Sequence, residues 1–142
     1  MVKINNKFWQ NKRVFITGHT GFKGSWLTLW LRMLGAKVFG YSLEEVCSEN
    51  LFNELYSNKI KYFEKDFYHH IGNILDQEKL NNAIKDFQPE IVIHLAAQAL
   101  VRKSYKEPIK TWETNVMGSI RVLESLKNLQ NNCAVVMVTT DK

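Results

Sequence analysis

Apolar and polar residues along this chain follow two alternating rhythms. Short runs rich in β-branched and aromatic residues at 14–17, 37–43 and 90–95 predict buried strands, as does 134–138, and a shorter strand is expected at 68–71. Between them the apolar residues recur at helical spacing. Phe22, Trp26, Leu29, Trp30, Met33 and Leu34 mark the expected buried face of a first helix, closed by Gly35. Residues 48–56 suggest a short helix with Ser48 as N-cap and Leu51, Phe52 and Leu55 inward. Residues 77–87, with Leu80, Ala83, Ile84 and Phe87 on one face, predict a helix ended by Pro89. A long helix over 109–129, entered through Pro108, carries Trp112, Val116, Ile120, Leu123, Leu126 and Leu129. Residues 99–107 read as polar and irregular. Residues 1–12 read as a polar leader in which Phe8 and Trp9 pack on the sheet. Strands alternating with helices predict an α/β fold, a doubly wound parallel sheet with right-handed crossovers.

One junction in this pattern carries chemistry. The strand at 14–17 leads into Gly18, His19, Thr20, Gly21, Phe22, Lys23 and Gly24, and a helix follows at once. There Gly18 suits a tight turn, Gly21 a close backbone approach to a ligand, and Gly24 close packing of helix on strand. Phosphates would sit on the helix N-terminus, where unpaired amides and the helix dipole favour an anion. An ordinary strand-to-helix turn is the plainer alternative, but its setting favours the Rossmann-type dinucleotide reading. An acidic residue expected about 20 residues further on would mark NAD. That place falls near Ser42, with Glu44 and Glu45 just after, so NAD and NADP both stay open. Lys23 either pairs with a phosphate or is solvated. Ala96, Ala97 and Gln98 end the fourth strand, small enough to admit a ribose or flat ring, or else to pack on a helix. The glycine turn, residues 96–98 and Thr139 through Lys142 all fall at carboxyl ends of strands, on one rim.

Composition narrows the classes. The 142 residues are 45% hydrophobic, enough for one core, and the formal charge of +5 is spread among acidic residues, which argues against nucleic-acid binding. Cys47 and Cys133 have neither metal nor redox spacing, so no metal site and a reducing, cytoplasmic setting are expected. No signal peptide is read, and the apolar stretch at 22–34 is too short and too charged to span a membrane.

The motifs TGHTGFKG at 17–24, HLAAQ at 94–98, TNVMGS at 114–119 and the closing TTDK resemble the extended short-chain dehydrogenase/reductase superfamily. GHTGFKGSWL, AAQALVRKSY and TTDK narrow the resemblance to its CDP-glucose 4,6-dehydratase family. That resemblance implies a nucleotide-sugar substrate, CDP-glucose, and a tightly held nicotinamide cofactor, NAD with NADP not excluded. Such enzymes oxidise C4 of the hexose, eliminate water across C5 and C6 and return the hydride to C6. It further implies that Thr140 bonds the C4 oxygen and Asp141 is the acid that protonates the departing C6 hydroxyl. Lys142 stands where the base is usually Glu, and either acts as base or contacts ribose or substrate. Asn73, with Ile74, would lie beside the adenine, where an Asp is usual. Leu95, Ala96, Ala97, Gln98 and Thr139 would line the cofactor, and Asn115 would brace the active-site backbone. The superfamily's Tyr and the Lys four residues beyond it do not occur in the sequence. Residues 1–142 are therefore expected to be an incomplete cofactor-binding domain, the N-terminal portion of a longer enzyme, inactive alone and without the substrate-binding part. Other readings are an NAD(P)-binding module without activity, or an epimerase or reductase. Homo-oligomers pairing through the helix at 109–129 are also implied, against the alternative that its apolar stripe only covers the sheet.

Overall fold

A computed structural model describes residues 6–44, 50–58 and 60–139. Five parallel strands, β1 (Arg13–Thr17), β2 (Lys37–Ser42), β3 (Phe67–Ile71), β4 (Ile91–His94) and β5 (Ala134–Met137), form one sheet in the order β3-β2-β1-β4-β5. Register is continuous, with Thr17 opposite Tyr41 on one side and opposite His94 on the other. From β1 the chain steps outward to β2 and β3, then returns to lay β4 on the opposite side of β1. Strand order thus reverses between β1 and β4, which opens a crevice at their carboxyl ends. At the other end Glu90 accepts hydrogen bonds from Lys12 Nζ at 2.8 Å and the Arg13 amide at 3.1 Å, tying the entry of β4 to that of β1.

Alternation along the strands feeds two cores. Val14, Ile16, Val38, Ile91 and Ile93 meet Leu31 and Ala36 on one face; Phe15, Tyr41 and Val92 meet Leu80, Ala83, Ile84 and Val122 on the other. The first face is covered by α2 (Phe22–Met33), beside α3 (Leu51–Ser57), whose Phe52 and Leu55 pack with Phe63 in a satellite cluster. The second is covered by α4 (Gln77–Phe87) and α7 (Gly118–Leu126). Asp76 caps α4, its side chain accepting from the Lys79 amide, and Gln88 ends it in the left-handed region at φ 50°. A short α1 (Asn6–Trp9) sets Trp9 against the first core, while Phe8 is half exposed.

Several expectations are corrected. Phe22, Trp26, Trp30 and Met33 are exposed, and α2 buries Gly24, Ser25, Thr28 and Leu31 instead. Small residues let the helix sit low on the sheet, and the Ser25 hydroxyl bonds back to the Gly21 carbonyl at 2.8 Å. Residues 101–106, expected to be irregular, form α5 (Val101–Lys106), which buries none of its residues and so leaves no periodic trace. The long helix is three pieces: α6 (Pro108–Trp112), a π-helical turn (Glu113–Met117) and α7. Its Trp112, Val116, Ile120 and Leu123 face outward, while Gly118, Val122 and Ser125 are buried. β5 is not buried; among the described residues it is bonded to β4 alone, at the edge of the sheet. The cap of α3 is Asn50, whose side chain accepts from the Asn53 amide; Ser48, like Cys47, lies outside the described residues.

Candidate functional site

Gly18 leaves β1 with φ 74°, the left-handed region, and its amide donates to the Tyr41 carbonyl at 2.8 Å. A side chain could not be added there without shifts, since a Cβ would lie 2.8 Å from the Ala96 nitrogen. Gly24 is closer still. Its Cβ would meet the Gly18 carbonyl oxygen at 2.1 Å, so Gly24 packs the helix against its own turn. Gly21 differs: a Cβ there would meet only the Gly18 oxygen at 3.4 Å, and as N-cap of α2 it offers no side-chain cap to the helix amides. The opening turn of α2 is therefore open to an anion.

Beside it lies a cleft of about 700 Å³, the size of a small-molecule site. Of the residues expected to bind cofactor, Gly18, Thr20, Gly21, Asn73, Ile74, Leu95, Ala96 and Ala97 line it. Ser42 and Leu43 from the end of β2, Gly72 from the end of β3, and Lys106 to Lys110 with Glu113 and Thr114 complete the walls. This last wall was missed, because apolar spacing marks a helix from residue 109 but not which end of the sheet its first turns lie against. Thr20 and Ser42 join by hydroxyls 2.7 Å apart, fixing the corner where β2 meets the glycine turn. The Asn73 side-chain oxygen already accepts from the Leu75 amide at 2.9 Å, so it forms a local turn as well as facing the cleft. Burial, then Asp76, pushes the Tyr41 phenol up to about 12, which keeps it a donor to the Asn73 carbonyl.

The remaining residues are placed elsewhere. Phe22 and Lys23 are exposed on α2. His19 does not line the cleft, because its ring turns behind the glycine turn into an aromatic nest of Phe52, Phe67 and His69. Its Nε2 lies 2.7 Å from His69 Nδ1, and its own Nδ1 is buried with no hydrogen-bond partner among the described residues. Burial, then the neighbouring His69, lowers the His19 pKa to about 3, so the ring is neutral; the Tyr41 backbone carbonyl acts weakly the other way. Asn115 sits in the π-helical turn with Oδ1 accepting from the Gln98 amide at 2.7 Å and Nδ2 donating to the Gln98 carbonyl at 3.1 Å. It braces the segment after β4 as a strand partner would. Thr139 is exposed beyond β5, and Thr140, Asp141 and Lys142 lie outside the described residues.

Beneath the rim runs a second set of bonds that the sequence motifs contained but did not reveal. Thr17 Oγ1 lies 2.6 Å from His94 Nδ1, and His94 Nε2 lies 3.0 Å from Ser119 Oγ. The Leu95 and Ala96 amides, both lining the cleft, each donate to Thr17 Oγ1 at 3.2 Å. Among the described residues no group of three His, Cys, Asp or Glu side chains is placed to hold a metal, and no helix is long and apolar enough to cross a membrane.

Residues 15–142 match the family model described as GDP-mannose 4,6 dehydratase. The chain is 52% identical over 139 residues to the CDP-glucose 4,6-dehydratase of Salmonella typhimurium, covering 98% of this chain and 37% of that protein. Among solved structures it resembles an epimerase from Methanothermobacter thermautotrophicus at a TM-score of 0.79 and 27% identity, over 96% of this chain and 37% of the other. It also resembles the UDP-glucose 4-epimerase of Brucella ovis, solved in complex with NAD, at a TM-score of 0.70 and 26% identity, over 89% of this chain and 35% of the other. The chain thus spans about a third of the length of the proteins it matches.

Proposed function

This chain belongs to the GDP-mannose 4,6-dehydratase family, and from that premise we propose that it supplies the nicotinamide-dinucleotide site of a sugar-nucleotide 4,6-dehydratase acting on CDP-glucose. The observation that carries the reading is the cradle at residues 18–24, where two glycines admit no side chain and the third opens an uncapped helix start to the cleft. The diphosphate would rest on that helix start, with the adenosine half toward Ser42, Gly72 and Asn73 and the nicotinamide half toward Ala96 and Ala97. NAD is favoured over NADP because the described cleft residues at the β2 and β3 end, Ser42, Leu43, Gly72, Asn73, Ile74 and Leu75, include no cation for a 2′-phosphate.

When bound, the cofactor would take a hydride from C4 of the hexose and return it to C6. The chain's own part is to hold and orient it: Gly18 and Gly24 shape the turn, and Asn115 fixes the Gln98 backbone. In the same reading Thr140 bonds the C4 oxygen, Asp141 protonates the departing C6 hydroxyl, and Lys142 serves as base or as a contact to ribose or substrate. The outward-facing Trp112, Val116, Ile120 and Leu123 support pairing of subunits through this helix in the whole enzyme.

Calorimetric titration of the folded chain with NAD and NADP tests the site: heat with NAD, and weaker or none with NADP, is expected. Binding of neither ends the reading. A form of the protein extended to include a Tyr-x-x-x-Lys motif should convert CDP-glucose to a 4-keto-6-deoxy product, detected by its absorbance in alkali, and inversion at a carbon without loss of water would overturn the dehydratase assignment.

A further inference from the structure

The line Thr17, His94, Ser119 allows only one arrangement of its hydrogens. The Asn115 carbonyl can only accept, so the Ser119 hydroxyl, 2.7 Å away, donates to it. The Ser119 oxygen must then receive its second bond from His94, which places a proton on Nε2. In the neutral ring Nδ1 is then bare and accepts the Thr17 hydroxyl hydrogen at 2.6 Å. With that hydrogen directed at the ring, the two lone pairs of Thr17 Oγ1 face the Leu95 and Ala96 amides, and both are used. The Leu95 amide is shared with the Thr17 carbonyl at 3.1 Å, so the Ala96 amide is the one that depends on Oγ1, and His94 is buried at 3% exposure, where an unmatched group would cost about 1–3 kcal/mol. No water is needed.

Three elements are joined through this ring. β1 contributes Thr17, β4 runs through His94 into Leu95 and Ala96, and the helical segment contributes Ser119 next to the Asn115 that clamps Gln98. Without His94 the Thr17 hydroxyl could rotate, and its lone pairs would no longer be directed at the two amides.

We propose that His94, neutral and protonated on Nε2, is a positioning residue for the dinucleotide cleft: it orients Thr17 and Ser119 and so holds Leu95 and Ala96 in place to receive the nicotinamide half of the cofactor. This rests on the dinucleotide reading above. The ring does not touch the cofactor; it acts through the backbone that does.

Nitrogen-15 NMR of the histidine rings in the 142-residue chain at pH 7, together with calorimetry using NAD and ADP as probes, tests it. The expected spectrum shows His94 as the Nε2–H tautomer; an Nδ1–H ring or an imidazolium overturns the proposal. His94→Leu is expected to weaken NAD binding tenfold or more while ADP, which spans only the adenosine and diphosphate part, changes less than about twofold. His94→Asn, whose carbonyl oxygen can stand near Nδ1 and accept from Thr17, should recover most of the loss. Unchanged NAD affinity in His94→Leu, or equal loss of NAD and ADP, overturns the role. A wild-type chain that binds neither nucleotide overturns the dinucleotide reading and this proposal with it, whereas one that binds both, with His94→Leu unchanged, overturns the role of His94 alone. Should His94→Leu fail to fold by circular dichroism, Ser119→Ala decides by the same split: selective loss of NAD supports the role, and no loss or a loss shared with ADP overturns it.

Discussion

The two faces of the sheet are made from alternate residues of the same strands, yet they are packed in opposite ways. On the α4 face large helix residues, Leu80 and Ile84, fill the space above Phe15 and Val92. On the α2 face the helix brings Gly24, Ser25 and Thr28 down to the sheet, keeps Leu31 in the core and sends its aromatic residues outward. Distance explains the difference. Gly24 lies so near the glycine turn that even a methyl group would overlap the Gly18 carbonyl, and a helix lying that low has no room for Trp26 or Trp30 beneath it. Each face also buries one histidine near the carboxyl ends of the strands. His94 has partners at both ring nitrogens, while His19 has one nitrogen unpaired among the described residues. Both faces hold a packed core, and the α2 face is packed to shape a turn as well.

The most severe way to break this contrast is Gly24→Val. Its side chain would run into backbone that cannot yield, and a loss of about 4 kcal/mol or more in urea unfolding is expected, enough to unfold a domain of ordinary stability. A folded variant within 1 kcal/mol of wild type would show that the turn can relax. On the opposite face Leu80→Ala, at a fully buried position, should cost about 3 kcal/mol by the same measurement, from lost burial plus the cavity left behind. Here the glycine turn should survive, so nucleotide binding to the folded fraction should be kept.

Acid distinguishes the faces more gently. Burial lowers the pKa of both His19 and His94, and of His69 beside His19. Below the ordinary histidine pKa of 6.5 the unfolded chain therefore binds more protons than the folded one. Stability is complete above that value and falls as pH drops from it toward about 3, where His19 itself titrates. Between pH 7 and pH 5 the neutral His19 ring should cost on the order of 2 kcal/mol, read from urea midpoints. His19→Asn should flatten this slope, and an unchanged slope would mean that the ring is not kept neutral by the fold. The smallest effect is expected at Trp30→Gln. With half of its surface already in water it has less burial to lose than Leu80, and should shift stability by about 1 kcal/mol or less, whereas a loss above 2 kcal/mol would place that ring in a core after all.

Much of the fold was readable from local pattern. The alternation of strand and helix, the span of α4 and the glycine junction are each encoded within a few neighbouring residues, and α4 shows the inward face that its spacing predicts. The site was readable only where it repeats a backbone requirement. Gly18 and Gly24 belong to that class, and so does the Asn115 clamp once the family resemblance is granted. What stayed hidden depended on distance in space. His19 sits inside the motif yet points away from the cleft, α5 carries no buried stripe to announce it, and His94 joins Thr17 and Ser119 from 77 and 25 residues away.

The sequence by itself determined the order of elements, their period and the positions where only glycine fits, because these follow from torsion angles and nearest neighbours. Tertiary structure alone decided which helix face turns inward, which strand becomes the edge, and which polar groups find partners. Those outcomes depend on how closely two surfaces approach, a quantity set jointly by residues far apart in the chain.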